Sequence, residues 1–183
     1  TLVPTREAAS YALEAEAQFS SGNLQKTVDA YSEAAKIDPE KAEYIWKQGR
    51  ALAYMTGSQT TDAEKIETLT KAIDLLESSK SVFTEDSNIY AVLALVYLWY
   101  ADEDLCGPGM VETYLATAED NIRRAVDYGP RNAMAYAFYA EILLDQANYE
   151  RAEQMIGQAL EYGKQAEAEM FDVYRVQGIL LES

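Results

Sequence analysis

The sequence predicts an all-helical array of stacked helix pairs rather than one globular core, and three observations predict it. A small residue on an apolar helix recurs at Ala15, Gly49, Ala94 and Ala140, at intervals of 34, 45 and 46 residues, each time followed by a second amphipathic segment. A period in this range is the mark of one supersecondary unit repeated along a chain. Only 4 Pro and 9 Gly are present, too little turn material for a β-rich fold. With 49% hydrophobic and 25% charged residues in a length of 183, the chain can bury a substantial core.

The first unit shows the pattern plainly. A helix is predicted over roughly Thr5 to Ser20, with Tyr11, Ala15 and Gln18 at i, i+4 and i+7 on one face. Gly22-Asn23 makes the turn, and a second helix runs from Leu24 to Ile37 with Thr27, Tyr31 and Ala34 on its inner face. Asp38-Pro39 stops it, because proline disfavours helix at the residue before it. The fourth unit repeats this arrangement: Tyr136, Tyr139, Ala140 and Leu143, a turn at Ala147-Asn148-Tyr149, then Ala152, Ile156 and Ala159.

The two middle units are longer. Gly49 to Ala72 spans 23 residues and Ala94 to Ala118 spans 24, against 12 from Ala15 to Thr27 and 12 from Ala140 to Ala152. Thr61-Asp-Ala-Glu64 resembles a capping box, which starts a helix near Asp62 and carries it to about Ser81. Gly107-Pro108 puts proline at a first helical position, so the next helix is predicted from Pro108 to Tyr128. Both second helices are then about two turns longer than the others. They are expected side by side as a ridge, with Ile66 and Leu69 meeting Met110, Val111, Tyr114 or Leu115. After Gly163 a further helix carries Tyr174, Gly178 and Leu181 at i, i+4 and i+7; Gly178 lies 38 residues beyond Ala140, about one extra turn placed around Ala166 to Glu169. It reads as a capping helix or the first helix of a truncated fifth unit, and its apolar Val173, Val176, Ile179, Leu180 and Leu181 favour truncation.

The spaced residues resemble tetratricopeptide repeats. That family's pattern of an aromatic, two residues, Leu-Gly, two residues, Tyr, then Ala, three residues, Phe and a later Pro is matched by Tyr90, Leu93, Ala94, Tyr97, Ala118, Ile122, Ala125 and Pro130. The second unit reads Ile45, Gln48, Gly49, Leu52, Ala72, Leu76 and Ser79, with Thr84 where Pro stands in the family. The resemblance covers about Ala8 to Lys164. It implies a right-handed superhelix of antiparallel helix pairs, an α-solenoid, divided into repeats 8–41, 42–86, 87–132 and 133–166, with 167–183 as cap or truncated fifth repeat.

Charge and composition narrow the function. With 15 basic against 31 acidic residues the net charge is −16, which repels nucleic acid and anionic membrane surfaces and attracts cationic partners. The absence of His removes the commonest general base and zinc ligand. Cys106 stands alone beside Asp102-Glu103-Asp104, where a thiolate is disfavoured. Those acids lack the spaced oxygens of a calcium loop, Thr113 standing twelfth from Asp102. No Gly-rich phosphate loop occurs. The reading is non-catalytic, with no cofactor and no metal. The most apolar run, Ile89 to Ala101, is 13 residues and too short to cross a bilayer. A start at Thr-Leu-Val-Pro-Thr and an end on Gly178 to Ser183 read as boundaries within a longer protein, whose compartment and membrane anchoring are left open.

The resemblance makes the first helices the lining of a concave groove, and the groove face lies away from the small residue that meets the second helix. Candidate partner-binding residues are therefore Phe19, Trp46, Arg50, Tyr54, Asn88, Leu95, Leu98, Trp99, Met134, Glu141 and Leu144. Trp46, Tyr54 and Trp99 serve as aromatic anchors, with Glu16, Glu43, Glu141 and Asp145 as an acidic rim; Arg50 is expected to bridge Glu43 in preference to orienting a ligand's carboxylate. Such a surface suits an apolar or aromatic peptide carrying basic residues. The carboxylate clamp of one sub-class of the family is absent, since the comparable places hold Ala12, Glu16, Lys47, Asn88 and Val92. Two other readings stay open: a self-assembly module pairing through the last helix or the ridge, and a regulatory domain of a larger protein.

Overall fold

The computed structural model describes residues 2–166 and 170–182. Among the described residues ten α-helices follow one another: α1 (Leu2–Ser20), α2 (Leu24–Ile37), α3 (Ala42–Met55), α4 (Asp62–Ser79), α5 (Ser87–Tyr100), α6 (Glu103–Cys106), α7 (Val111–Tyr128), α8 (Ala133–Asp145), α9 (Tyr149–Ala166) and α10 (Phe171–Glu182). Among the described residues there is no strand, and no helix is long and apolar enough to cross a membrane.

Local chemistry fixes the helix starts. The Asp86 side chain accepts hydrogen bonds from the Asn88 and Ile89 amides at 3.0 and 3.1 Å, and Asn132 does the same for Met134 and Ala135. The Thr61–Glu64 capping box is formed in both directions. Helix α2 ends at Ile37, before Asp38-Pro39.

The helices pack as pairs, α1 with α2, α3 with α4, α5 with α7 and α8 with α9. The inner members α3, α5, α8 and α10 stand in contact one after the next. Close pairing relies on the small residues: Ala15, Ala94 and Ala140 are fully buried, and a Cβ on Gly49 would lie 2.8 Å from Leu76 Cδ1 of α4. Helix α5 is apolar on every face because α3, α4, α7 and α8 surround it; Ile89 through Leu98 are all buried.

Several boundaries differ from the sequence expectation. Helix α1 begins at Leu2 rather than Thr5, and α4 ends at Ser79 rather than Ser81. Helix α7 begins at Val111, not Pro108, because Gly107 and Gly109 both take positive φ (84° and 82°) and turn the chain after the short α6. The extra length of the middle units is shared between helix and connection. Ala72 is the eleventh residue of α4 and Ala118 the eighth of α7, whereas Thr27 and Ala152 are each the fourth of theirs. The expected ridge of α4 against α7 is not formed: α4 packs on α3, α5 and α6, while Ile66 is only half-buried and Met110 is exposed. The inserted α6 lies beside α4, and its Leu105 packs against the core. Helix α9 continues through Gly163 to Ala166, where the sequence predicts a new helix. The extra turn placed around 166–169 falls largely on 167–169, outside the described residues.

Candidate functional site

Helix α10 packs on α8 and α9 much as α8 packs on α5 and α7, so it occupies the place of a fifth inner helix. From there its side chains reach across the concave face to the start of the array. The Phe171 ring lies 5.5 Å from Phe19 of α1 and 5.7 Å from Tyr54 of α3, edge-on to both. Asp172 accepts from Arg50 Nη1 at 2.8 Å and from the Tyr54 hydroxyl. Arg175 donates to both oxygens of Glu141 at 3.2 and 2.5 Å, and Trp99 Nε1 donates to Glu141 Oε1 at 2.8 Å. The Arg175 guanidinium also lies 5.5 Å from the Tyr54 and Trp99 rings, a cation–π arrangement. Burial and the adjacent Asp172 carboxylate push the Tyr54 phenol up, so it stays a donor at neutral pH.

Helix α10 thereby divides the concave face. On one side a pocket of about 190 Å³ is lined by Trp46, Arg50, Asn88, Met134 and Asp172. On the other side an open cleft of about 710 Å³ runs past Tyr54, Leu98, Trp99, Leu144, Tyr149 and Ile179. The cleft faces the C-terminal ends of α3, α5 and α8, whose terminal carbonyls carry partial negative charge. Asp102 and Asp145 stand exposed on the same rim. Arg175 pairs with Glu141, which leaves Asp102 and Asp145 as the exposed carboxylates of the cleft.

The predicted residues separate accordingly. Tyr54, Leu98, Trp99, Glu141 and Leu144 converge on the cleft, Trp46, Arg50, Asn88 and Met134 on the small cavity, and Phe19 on the aromatic cluster. Leu95 is fully buried in the core and lines neither space. Arg50 pairs with Asp172 instead of bridging Glu43, because Lys47, one turn from Glu43, takes that carboxylate at 3.0 Å. Lys47 also binds Glu16, whose other contact is the Tyr31 hydroxyl at 2.6 Å, so this part of the acidic rim is neutralised. Phe171, Asp172, Arg175 and Ile179 escape the sequence reading. Aligning Gly178 with Ala94 is the available signal: it puts Asp172 at the place of Asn88 and Ile179 at that of Leu95, both groove candidates.

Solved structures with a similar fold are known. TTC0263, a thermophilic TPR protein of Thermus thermophilus, superimposes with a TM-score of 0.68 at 15% identity, over 96% of this chain and 90% of that one. The MamA RS-1 ArsTM double mutant gives 0.52 at 14% identity, over 89% and 79% of the two chains. No family model and no curated protein matches the sequence. The chain has the tetratricopeptide-repeat fold, an all-helical α-solenoid.

Proposed function

We propose that this chain is a non-catalytic interaction scaffold that holds a protein segment on its concave face, in the cleft beside α10. The observation that carries the reading is the cleft's lining. Aromatic and aliphatic side chains from α3, α5, α8, α9 and α10 form its walls, and exposed acids stand among three helix C-termini. An extended or helical segment with a basic side chain among apolar ones would bury its apolar part on Leu98, Trp99 and Leu144 and place its charge by Asp102 and Asp145. Helix α10 offers an internal precedent, since it brings an aromatic ring and an arginine to the same aromatic layer. The repeat boundaries after residues 41, 86, 132 and 166 belong to the same reading.

The test is a displayed-peptide screen on the chain beside two variants at exposed positions, Tyr149→Ala and Asp145→Lys. Enrichment of basic, apolar peptides that weakens at least tenfold in both variants is the expected result. No enrichment, or equal binding by all three proteins, would overturn the cleft as the functional site.

A further inference from the structure

The pocket that Asn88 and Asp172 line, across α10 from the cleft, shares no residue with it and differs from it in chemistry. Its polarity is set from a helix start. Asn132 caps α8 with Oδ1, which accepts from the Met134 and Ala135 amides at 3.1 and 3.2 Å. Its Nδ2 therefore faces the other way and donates to Ser87 Oγ and Asn88 Oδ1, both at 2.8 Å. The Ser87 hydroxyl donates to the Ala125 carbonyl at 2.7 Å, so its oxygen is the acceptor and the direction of these bonds is fixed. Asn88, in the first turn of α5, must turn its Oδ1 to Asn132. Its Nδ2 is left for the pocket, and among the described residues nothing accepts from it. Asp172 supplies the complement. Its carboxylate is 1% exposed and accepts from Arg50 Nη1 and the Tyr54 hydroxyl, two of the about four positions its oxygens offer. Trp46, Ala133 and Met134 form the apolar remainder of the lining.

We infer that this pocket binds the uncharged carboxamide of a glutamine or asparagine side chain, carried by a protein segment on the concave face. A carboxamide is acceptor and donor at once. Its oxygen accepts from Asn88 Nδ2, its NH2 donates to Asp172, and its methylenes lie against Trp46 and Met134. Charge decides against the alternatives. A carboxylate in this pocket would face Asp172, and an ammonium or guanidinium would face Arg50; both side chains are almost wholly buried, where a like charge is costly. A purely apolar side chain would leave the Asn88 donor without an acceptor. Size decides the rest: about 190 Å³ has room for one side chain, and sites for free small molecules run to roughly 300–1,000 Å³.

The probes are N-acetyl-glutamine methylamide and its glutamate and methionine counterparts, each titrated against the isotope-labelled whole chain by NMR to about 50 mM, enough to saturate a millimolar site. With the glutamine probe, saturable shifts of the Asn88 side-chain NH2 and the Trp46 indole signals are expected. Their midpoint should fall in the millimolar range, which is what a group of about five non-hydrogen atoms allows. The other two probes should bind about fivefold more weakly or worse, the effect of one hydrogen bond lost. Asn88→Asp keeps an oxygen for Asn132 and removes the donor to the pocket. An acid also suits the first turn of α5, so the variant should keep the melting curve of the parent chain. Binding of the glutamine probe to it, read at Trp46, should weaken about fivefold or more. No shift at either signal would mean that the pocket takes solvent only, and would overturn the inference. Equal binding of the methionine probe would overturn it in favour of apolar filling or backbone contact. Equal binding of the glutamate probe, or undiminished binding to Asn88→Asp, would also overturn it. The cleft is tested through other residues, Tyr149 and Asp145, so either site can fail without the other.

Discussion

Arg50 and Asp172, 122 residues apart in sequence, form an ion pair at 2.8 Å in which both side chains are almost wholly buried. The pair ties the last inner helix to the second unit, and it converts a linear stack into one whose ends are coupled. Asp172→Ala would leave the Arg50 charge in a site built around that carboxylate. A loss of about 2 kcal/mol or more is expected, because removing one member of a buried pair takes away much of what compensates the desolvation of the other. The double variant Arg50→Met with Asp172→Leu should recover most of it. Urea unfolding of the four proteins of this cycle is the measurement, and a single-variant loss below about 1 kcal/mol would contradict buried pairing.

Glu141 secures the middle of α10 by accepting from both Arg175 and Trp99. Glu141→Gln keeps the shape and removes the charge, weakening charge-assisted bonds worth about 1.5–3 kcal/mol. Amide exchange along α10 should then quicken at least tenfold while the amides of α5 keep their rates, since α5 is packed on all sides. Unchanged exchange in α10 would show that Phe171 and Asp172 hold the helix without Glu141.

The pair-by-pair architecture is legible in the sequence because each unit repeats its own local signals: a small residue, a large apolar one, a cap. The return of α10 to α1 and α3 is not. It depends on curvature accumulated over the whole array, and no local spacing announces that Phe171 will meet Phe19. Helical spacing alone offers Arg50 the carboxylate of Glu43, two turns away, but Lys47 at one turn is the better partner for it. At Pro108 the first-turn preference of proline is right in kind, but glycines on both sides at positive φ make a turn instead. The acids of the cleft are partly visible in the sequence, and their significance comes only when three helix ends prove to share one rim.

The acidic side of the groove should give the fold a pH dependence. Burial alone would raise the Glu16 carboxyl, but hydrogen bonds from Lys47 and Tyr31 outweigh it and leave it lowered; Glu43 is lowered likewise, burial being outweighed by Lys47 and Lys41. A carboxyl lowered on folding stabilises fully above its unfolded value of 4.5 and loses that contribution as pH falls through the folded value. Lys47→Met removes the shared cation. After the discount that partly exposed pairs require, the parent chain should lose about 1 kcal/mol more than Lys47→Met between about pH 6 and pH 3. The difference matters because relief of the general self-repulsion at low pH acts on both proteins equally. Parallel stability profiles would rule out the Lys47 cluster as the source.

Gly49 and Gly178 hold the same register position on two inner helices and should respond to alanine with opposite signs. Replacing glycine by alanine inside a helix gains up to about 1 kcal/mol from backbone entropy alone. At Gly178 nothing within 4 Å opposes the new methyl, so that gain should appear, discounted somewhat near the end of α10. At Gly49 the methyl would lie 2.8 and 2.9 Å from the two Leu76 methyls, and Leu76 is fully buried. Overpacking of this kind costs about 1–3 kcal/mol, enough to exceed the helix gain. Gly178→Ala should therefore raise the melting temperature by roughly 1–3 °C and Gly49→Ala lower it by about 2–4 °C, taking the scaling for a chain of this size. Leu76→Val, by removing one methylene's worth of bulk, should cost less in the Gly49→Ala background than in the parent. If both glycines moved the melting temperature the same way, the open space beside Gly178 and the close approach of Leu76 to Gly49 would not be what sets the sign.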